Sequence, residues 1–589
     1  MNTSSNQFRN PILSGFHPDP SICRVGDDYF LVNSSFAYFP GVPLFHSRDL
    51  VHWRQIGYCL DRPEQLHLDR APTSGGIFAP SIRYHDGVFY MVTTHISGEG
   101  NFYVTTRDPF GSWSDPIWVA QDGIDPSLLF DNGRIYFTST GMTDDPSQGQ
   151  GIIQSEIDIV TGRLLTKPRL IWRGTGGSYP EGPHLYRIGE KYYLMIAEGG
   201  TEYAHTEVIA RSDSPWGPWE PCPHNPILTH RSLHSPIQAL GHADMVEAQD
   251  GTWWAVCLGF RPVFPQVHHL GRETFLAPVH WDEHGWPYIG NAGRIELEMD
   301  SPQLTQVTWE PRAERDDFDE PSLDVNWNFL GHPNSESWSL TREPGSLTLQ
   351  GTGLRLDDGT GVAFVGRRQE HFNCEVATSM RFSPVSDGEE AGLTVWMDAR
   401  HRCDLFVTME QGKTYICVRQ RIGNLLAVVA REELSEQAYT LSVRANRLFY
   451  AFAYRNNNGS EHILATAETR YLSSEVAGGF TGVYFAMYAS GNGNAVSSPA
   501  HFDWFDYRDI DNTGTLGIDS TLSSLLKDSD ARDIIGIHLP QLVENPPIAW
   551  QANLSLLAFS AMSPELISPE KLLLIDSALR AKRIPDGNG

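Results

Sequence analysis

Paired cysteines, a basic surplus and any long apolar run are all missing from this chain of 589 residues. Its seven cysteines (Cys23, Cys59, Cys222, Cys257, Cys374, Cys403 and Cys417) are scattered and odd in number, and no two form a CxxC pair. That spacing speaks against a disulfide framework or a zinc cluster. Lys and Arg number 44 against 72 Asp and Glu, a formal charge of −28. Such a balance repels phosphate backbones and anionic lipid, so neither a nucleic-acid nor a membrane partner is expected. No run of apolar residues approaches the length of a membrane span. The opening MNTSSNQFRNPIL has no basic start followed by an apolar core, so the chain as given is expected to be cytoplasmic, although a trimmed leader would leave no trace.

What is present is ordinary globular composition, 40% hydrophobic and 20% charged, in a chain too long for one core. Two or three packed domains are expected. Sixteen Trp, 21 Tyr and 28 Phe are many rings, suited to β-sheet cores and to the flat faces of sugars.

The first half repeats itself. DPSICRVGDDYFLVNSS is echoed by APSIRYHDGVFYMVTT, DPSLLFDNGRIYFTST, EGPHLYRIGEKYYLMIAEGG and ADMVEAQDGTWWAVCLGF. Each is a short strand, a Gly or Asp turn, then an aromatic strand. Outer segments repeat too: FHSRDLVHW, VTTRDPFGSW and IARSDSPWGPW share an acidic turn followed by Trp. Five units of roughly fifty residues predict a five-bladed β-propeller over residues 1–307. The first strand of every blade lines the central axis, so Asp19, Ala79, Asp125, Glu181 and His242 should meet at one end of it. In FHPDPSI, Pro18 and Pro20 bias the backbone around Asp19 and so set its direction in advance. Like charges gathered in a partly dry funnel cannot all ionise at their ordinary values, so one carboxyl should stay protonated while another serves as a base. Glycoside cleavage needs that pair.

GFHPDPSICRVGDDYFLVNSSFAYFPGVPLFHSRDLVHW, GIDPSLLFD, YPEGPHLY, GHADMVE and LGRETF together resemble glycoside hydrolase family 43, the β-xylosidases and α-L-arabinofuranosidases, from about Asn10 to Asp509. The resemblance implies an inverting, exo-acting hydrolase with Asp19 as general base, Glu181 as general acid and Asp125 raising the pKa of Glu181. It also implies sugar-binding roles for Arg272 in LGRETF, Phe36 in SSFAYFPG, Phe78 in GIFAP, His242 and Phe480. The competing readings are a surface ion pair with Glu273 for Arg272, and core packing for Phe36 and Phe480. Some relatives hold calcium near the axial histidine. One His without a carboxylate cluster is weak support for a metal, so calcium near His242 is not relied on and no cofactor is expected. Phe78 stands where many xylosidases carry Trp, which resembles the arabinofuranosidase-rich branch. The expected substrates are oligosaccharides from arabinoxylan, xyloglucan or arabinan. A sugar-binding propeller without turnover is the alternative, and a homo-oligomer is compatible with the sequence.

From Thr308 the text changes. Alternating segments such as SWSLTREPGSLTLQG and AHFDWFDYRD predict a β-sandwich over 308–510. It is similar to the concanavalin-like domain of the same family, in which a loop closes one side of the pocket; GGFTGVYFAMY matches that loop and carries Phe480. Residues 511–589 have helical spacing, with Ser568 and Pro569 opening one helix, and predict a small helical module.

Overall fold

The computed structural model describes residues 7–69, 71–263, 265–434, 438–456, 459–494, 496–510 and 516–581. Its first half holds five antiparallel sheets, each laid down in chain order. Their first strands are Ser21–Val25, Ser81–His85, Ile124–Asp131, Glu181–Ile188 and Gln238–Glu247. The turn that follows two of them is dictated locally. Asp86 and Gly87 hold φ of 48° and 79°, Asn132 and Gly133 hold 48° and 74°, the left-handed pair that a two-residue hairpin requires. Each first strand packs beside the next, and the fifth returns to the first, which makes the architecture a propeller. The ring is fastened by strand Gln7–Arg9, which pairs antiparallel with Glu298–Asp300 after the fifth sheet.

An ion pair between half-buried Arg83 and fully buried Asp244 ties the hub together. Asp244 accepts from Arg83 at 2.7 and 3.1 Å, from Ser21 Oγ at 2.6 Å and from Tyr186 Oη at 2.7 Å, so four of the five sheets meet on two oxygens. Those donors hold the Asp244 carboxyl far below the usual carboxylate range in spite of its burial.

The second unit packs two antiparallel sheets face to face, one built on Cys374–Phe382 and Val496–Asp509, the other on Glu390–Asp398 and Tyr484–Ser490. Cys374–Phe382 alternates buried and half-buried residues along its whole length, as period-two side chains over a core must. Leu347, Val376, Leu393, Leu405, Leu441 and Phe502 fill that core. The sandwich grips the propeller closely. Phe39 and Tyr38 pair as a strand with Phe329 and Leu330, Tyr38 stacks on Tyr484 at 4.0 Å, and Arg368 donates to the carbonyl of Phe16 at 2.7 Å.

Beyond the sandwich stand short helices, the longest Pro569–Ala581, around a separate core of Ile518, Leu522, Ile535, Leu556, Leu572 and Ile575. Ser568 accepts from the amide of Lys571 at 3.4 Å and Pro569 opens the helix, as the sequence predicts. Thr521, Asp528 and Ser555 cap others in the same way.

Candidate active site

The three carboxylates come together at the hub, close enough that Asp125 and Asp19 both act on Glu181 and Asp19 acts on Asp125. Asp19, Asp125 and His242 hold left-handed backbone, with φ of 53°, 55° and 52°. For side chains other than Gly that conformation costs about 1–3 kcal/mol and persists where the surroundings enforce it. Strand register breaks at the same level, between Ile124 and Ser127, between Glu181 and His184, and on both sides of Gly241. These bulges turn the functional side chains out of the sheets and toward the axis.

Each acid has a different setting. Asp19 Oδ1 accepts from Arg272 Nη1 at 2.8 Å and Oδ2 accepts from Ser34 Oγ, so a guanidinium stands against it. Asp125 Oδ2 accepts from the amide of Gly182 at 3.1 Å, and burial, opposed by His242 and reinforced by Asp19, pushes its carboxyl up. Glu181 retains 19% exposure of its side chain. Burial first, then the charges of Asp125 and Asp19, push its carboxyl up to about 8, against the pull of Arg272.

Arg272 joins this cluster to an aromatic wall. Its guanidinium also donates to Thr201 Oγ1 at 3.1 Å and to the carbonyl of Phe480 at 3.4 Å, and lies 5.8 Å from the ring centre of Phe36 and 5.6 Å from that of Phe480. Phe36, Phe78 and Phe480 touch one another at 5.4 to 6.2 Å. The alternatives therefore resolve residue by residue. Glu273 pairs with Arg261 at 2.7 Å, so it is not the partner of Arg272. Phe480 is 40% exposed and outside the sandwich core, whereas Phe36 is buried and serves both the core and the wall. Phe480 rides on a loop whose amide bonds Ser74 Oγ at 2.9 Å, and a cavity of about 480 Å³ continues from Arg272 and Phe480 past Tyr203 and His268.

His242 lies flat on Gly182, where an added Cβ would meet its ring at 3.0 Å. Calcium takes six to eight oxygen ligands. Here Asp125 is engaged by an amide and Asp244 by Arg83, and among the described residues no group of three or more His, Cys, Asp or Glu is placed to hold a metal ion. Calcium near His242, which the sequence supports only weakly, thus finds no support in the donor set. Arg107 and Asp108 stay exposed on an outer turn and have no part in the site.

Residues 8–287 match the family model "Glycosyl hydrolases family 43", and residues 315–508 match "Beta xylosidase C-terminal Concanavalin A-like domain". The chain belongs to glycoside hydrolase family 43. A family 43 relative, a non-reducing end α-L-arabinofuranosidase of Bacteroides ovatus, is 46% identical over 87% of this chain and 96% of its own length. A xylosidase/arabinosidase of Butyrivibrio fibrisolvens is 37% identical over 85% and 99%. Among solved structures, one described as "Bacteroides ovatus Xyloglucan PUL GH43B" superposes with a TM-score of 0.82 at 46% identity, covering 86% of this chain and all of the other. A xylan β-1,4-xylosidase of Bacillus halodurans does so at 0.81 and 36% identity, covering 85% and all of the other.

Sequence reasoning missed Ser34, which falls at the end of the first repeat without an acidic or aromatic mark, and Thr201 and His205, which lie outside the repeats. Only the structure reveals that they face the acids and Arg272.

Proposed function

We propose that the chain is an inverting exo-hydrolase that releases terminal α-L-arabinofuranosyl residues from hemicellulose-derived oligosaccharides, with β-D-xylosyl residues as the second substrate. The observation that carries the reading is the contrast between two neighbouring acids: Asp19 is bonded to Arg272 at 2.8 Å, whereas burial and the charges of Asp125 and Asp19 push Glu181 up to about 8. At neutral pH Glu181 holds a proton for the leaving oxygen, and Asp19 accepts one from the attacking water. Water oxygen bonds to the anomeric carbon as the glycosidic bond breaks, the aglycone leaves with the proton of Glu181, and configuration inverts. Asp125 keeps Glu181 protonated. Arg272, whose Nη2 keeps a hydrogen beyond the one given to Phe480, donates to a sugar hydroxyl, and Phe36, Phe78 and Phe480 exclude water around the ring. Phe480, supplied by the sandwich, closes one side, which favours chain ends.

The five sheets are read as five blades, with the propeller over 1–307, the sandwich over 308–510 and the helical module over 511–589. The arabinofuranosyl preference draws on the 46% identical arabinofuranosidase and on Phe78, and the xylosyl alternative on the xylosidase relatives. Release of 4-nitrophenol from the α-L-arabinofuranoside and the β-D-xyloside, with the first product anomer followed by proton NMR, tests the reading. Binding of either sugar with no release would favour a non-catalytic sugar-binding propeller, and retention of configuration would exclude single displacement.

A further inference from the structure

Beside Glu181 lies a histidine that the mechanism does not use. His205 is fully buried and precedes strand Thr206–Ser212. Its Nδ1 stands 2.9 Å from the carbonyl oxygen of Ala239. A carbonyl only accepts, so Nδ1 carries the hydrogen and Nε2 presents a lone pair. The ring packs against Gly241, where an added Cβ would sit 2.6 Å from the nearest ring atom, and the bond to Ala239 holds its orientation. Nε2 is buried with no hydrogen-bond partner and faces Glu181 Oε1 at 3.8 Å.

We propose that His205 is a positioning residue for Glu181, its fixed lone pair favouring the protonated carboxyl over the carboxylate and setting the plane of that carboxyl. The inference rests on the reading of Glu181 as the acid. An ionised Glu181 would set negative oxygen against a lone pair with no donor between them, whereas the acid form offers an O–H. When a glycosidic oxygen arrives, the carboxyl turns about its last bond and passes the proton on. Burial, with His242 and Arg272 nearby, holds the imidazole down to about 3, so it is neutral at neutral pH. The other charged groups facing Glu181 are Asp125, Asp19 and Arg272, with Glu207 behind.

His205→Asn keeps a donor for the Ala239 carbonyl and removes the lone pair at the Nε2 position; His205→Gln carries an acceptor out to it. Expected for His205→Asn are a basic limb of kcat/KM displaced to lower pH and a loss of about tenfold or more on alkyl or oligosaccharide leaving groups, with little change on 2,4-dinitrophenyl glycosides. His205→Gln should recover part of both. A basic limb that coincides with that of the unmodified enzyme, or an equal loss on every leaving group, overturns the proposal. Should circular dichroism show His205→Asn unfolded, His205→Ala, which also removes the lone pair, is judged by the same two readouts. Glu181→Gln in the same assays separates the two levels: if it too shows no leaving-group dependence, the acid assignment falls and the role of His205 with it.

Discussion

Two single-residue changes test how the site divides its protons. Asp125→Asn keeps an acceptor for the Gly182 amide but removes a negative charge that raises Glu181, so the acid should lose its proton at lower pH and the basic limb of kcat should shift acidward. An unmoved limb would count against Asp125 as the modulator. Glu181 also links stability to pH. Its folded value near 8 lies above the ordinary 4.5, so the folded state holds an extra proton between them. That stabilisation is complete below pH 4.5 and lost as pH rises through 8. Glu181→Gln lacks the group, so its melting temperature relative to the unmodified enzyme should rise from pH 5 to pH 9, by the equivalent of a few kcal/mol. Parallel melting curves across that range would show that Glu181 is not raised. Asp19, Asp125 and Glu181 were legible in the sequence because the repeat assigns them one radial position. His205 was not, since its partners, the Ala239 carbonyl and the Glu181 carboxylate, come from two other strands and nothing in AHTEV encodes them.

Among elements, the loop that presents Asp19 depends on the sandwich. Gly15 holds φ of 81°, and a Cβ there would fall 2.6 Å from the carbonyl oxygen of Gln369. Its amide donates to Glu273 at 2.9 Å, and Arg368 clasps the carbonyl of Phe16 next along. Gly15→Ala must therefore push backbone against backbone and adopt a left-handed conformation that a side chain resists. The expected cost is about 2 kcal/mol or more, with a fall in kcat because Asp19 moves with the loop; melting and initial rates measure both. Phe480→Ala should behave oppositely. Its ring is partly exposed and outside the sandwich core, so the melting temperature should hardly change while KM for short substrates rises several-fold. The sheets, their hairpin turns and the alternation of the sandwich were readable from period-two patterning and from pairs such as Asp86–Gly87. The clasp was not, because Arg368 and Phe16 are 352 residues apart and their bond involves a backbone carbonyl that no sequence pattern marks.

At the scale of the whole molecule, the three units should differ in what their removal does. Arg272 donates to the Phe480 carbonyl, and Tyr38 stacks on Tyr484, so propeller and sandwich share the wall of one site. A chain ended at residue 307 would lose Phe480 and Arg368 and expose Phe16, Phe36 and Tyr38, which pack against sandwich residues. It should be inactive and prone to aggregate. The helical module has its own core and meets the sandwich through Phe449 and Leu448, with Arg580 bonding the carbonyl of Ile510 at 3.0 Å. None of those residues touches Asp19, Asp125, Glu181 or Arg272. A chain ended at Ile510 should therefore keep kcat and KM for both nitrophenyl glycosides within about twofold and lose only the stability contributed by that contact. A large fall in kcat at an unchanged melting temperature would mean that the module acts on the site through the sandwich, and the independence argued from these contacts would be wrong.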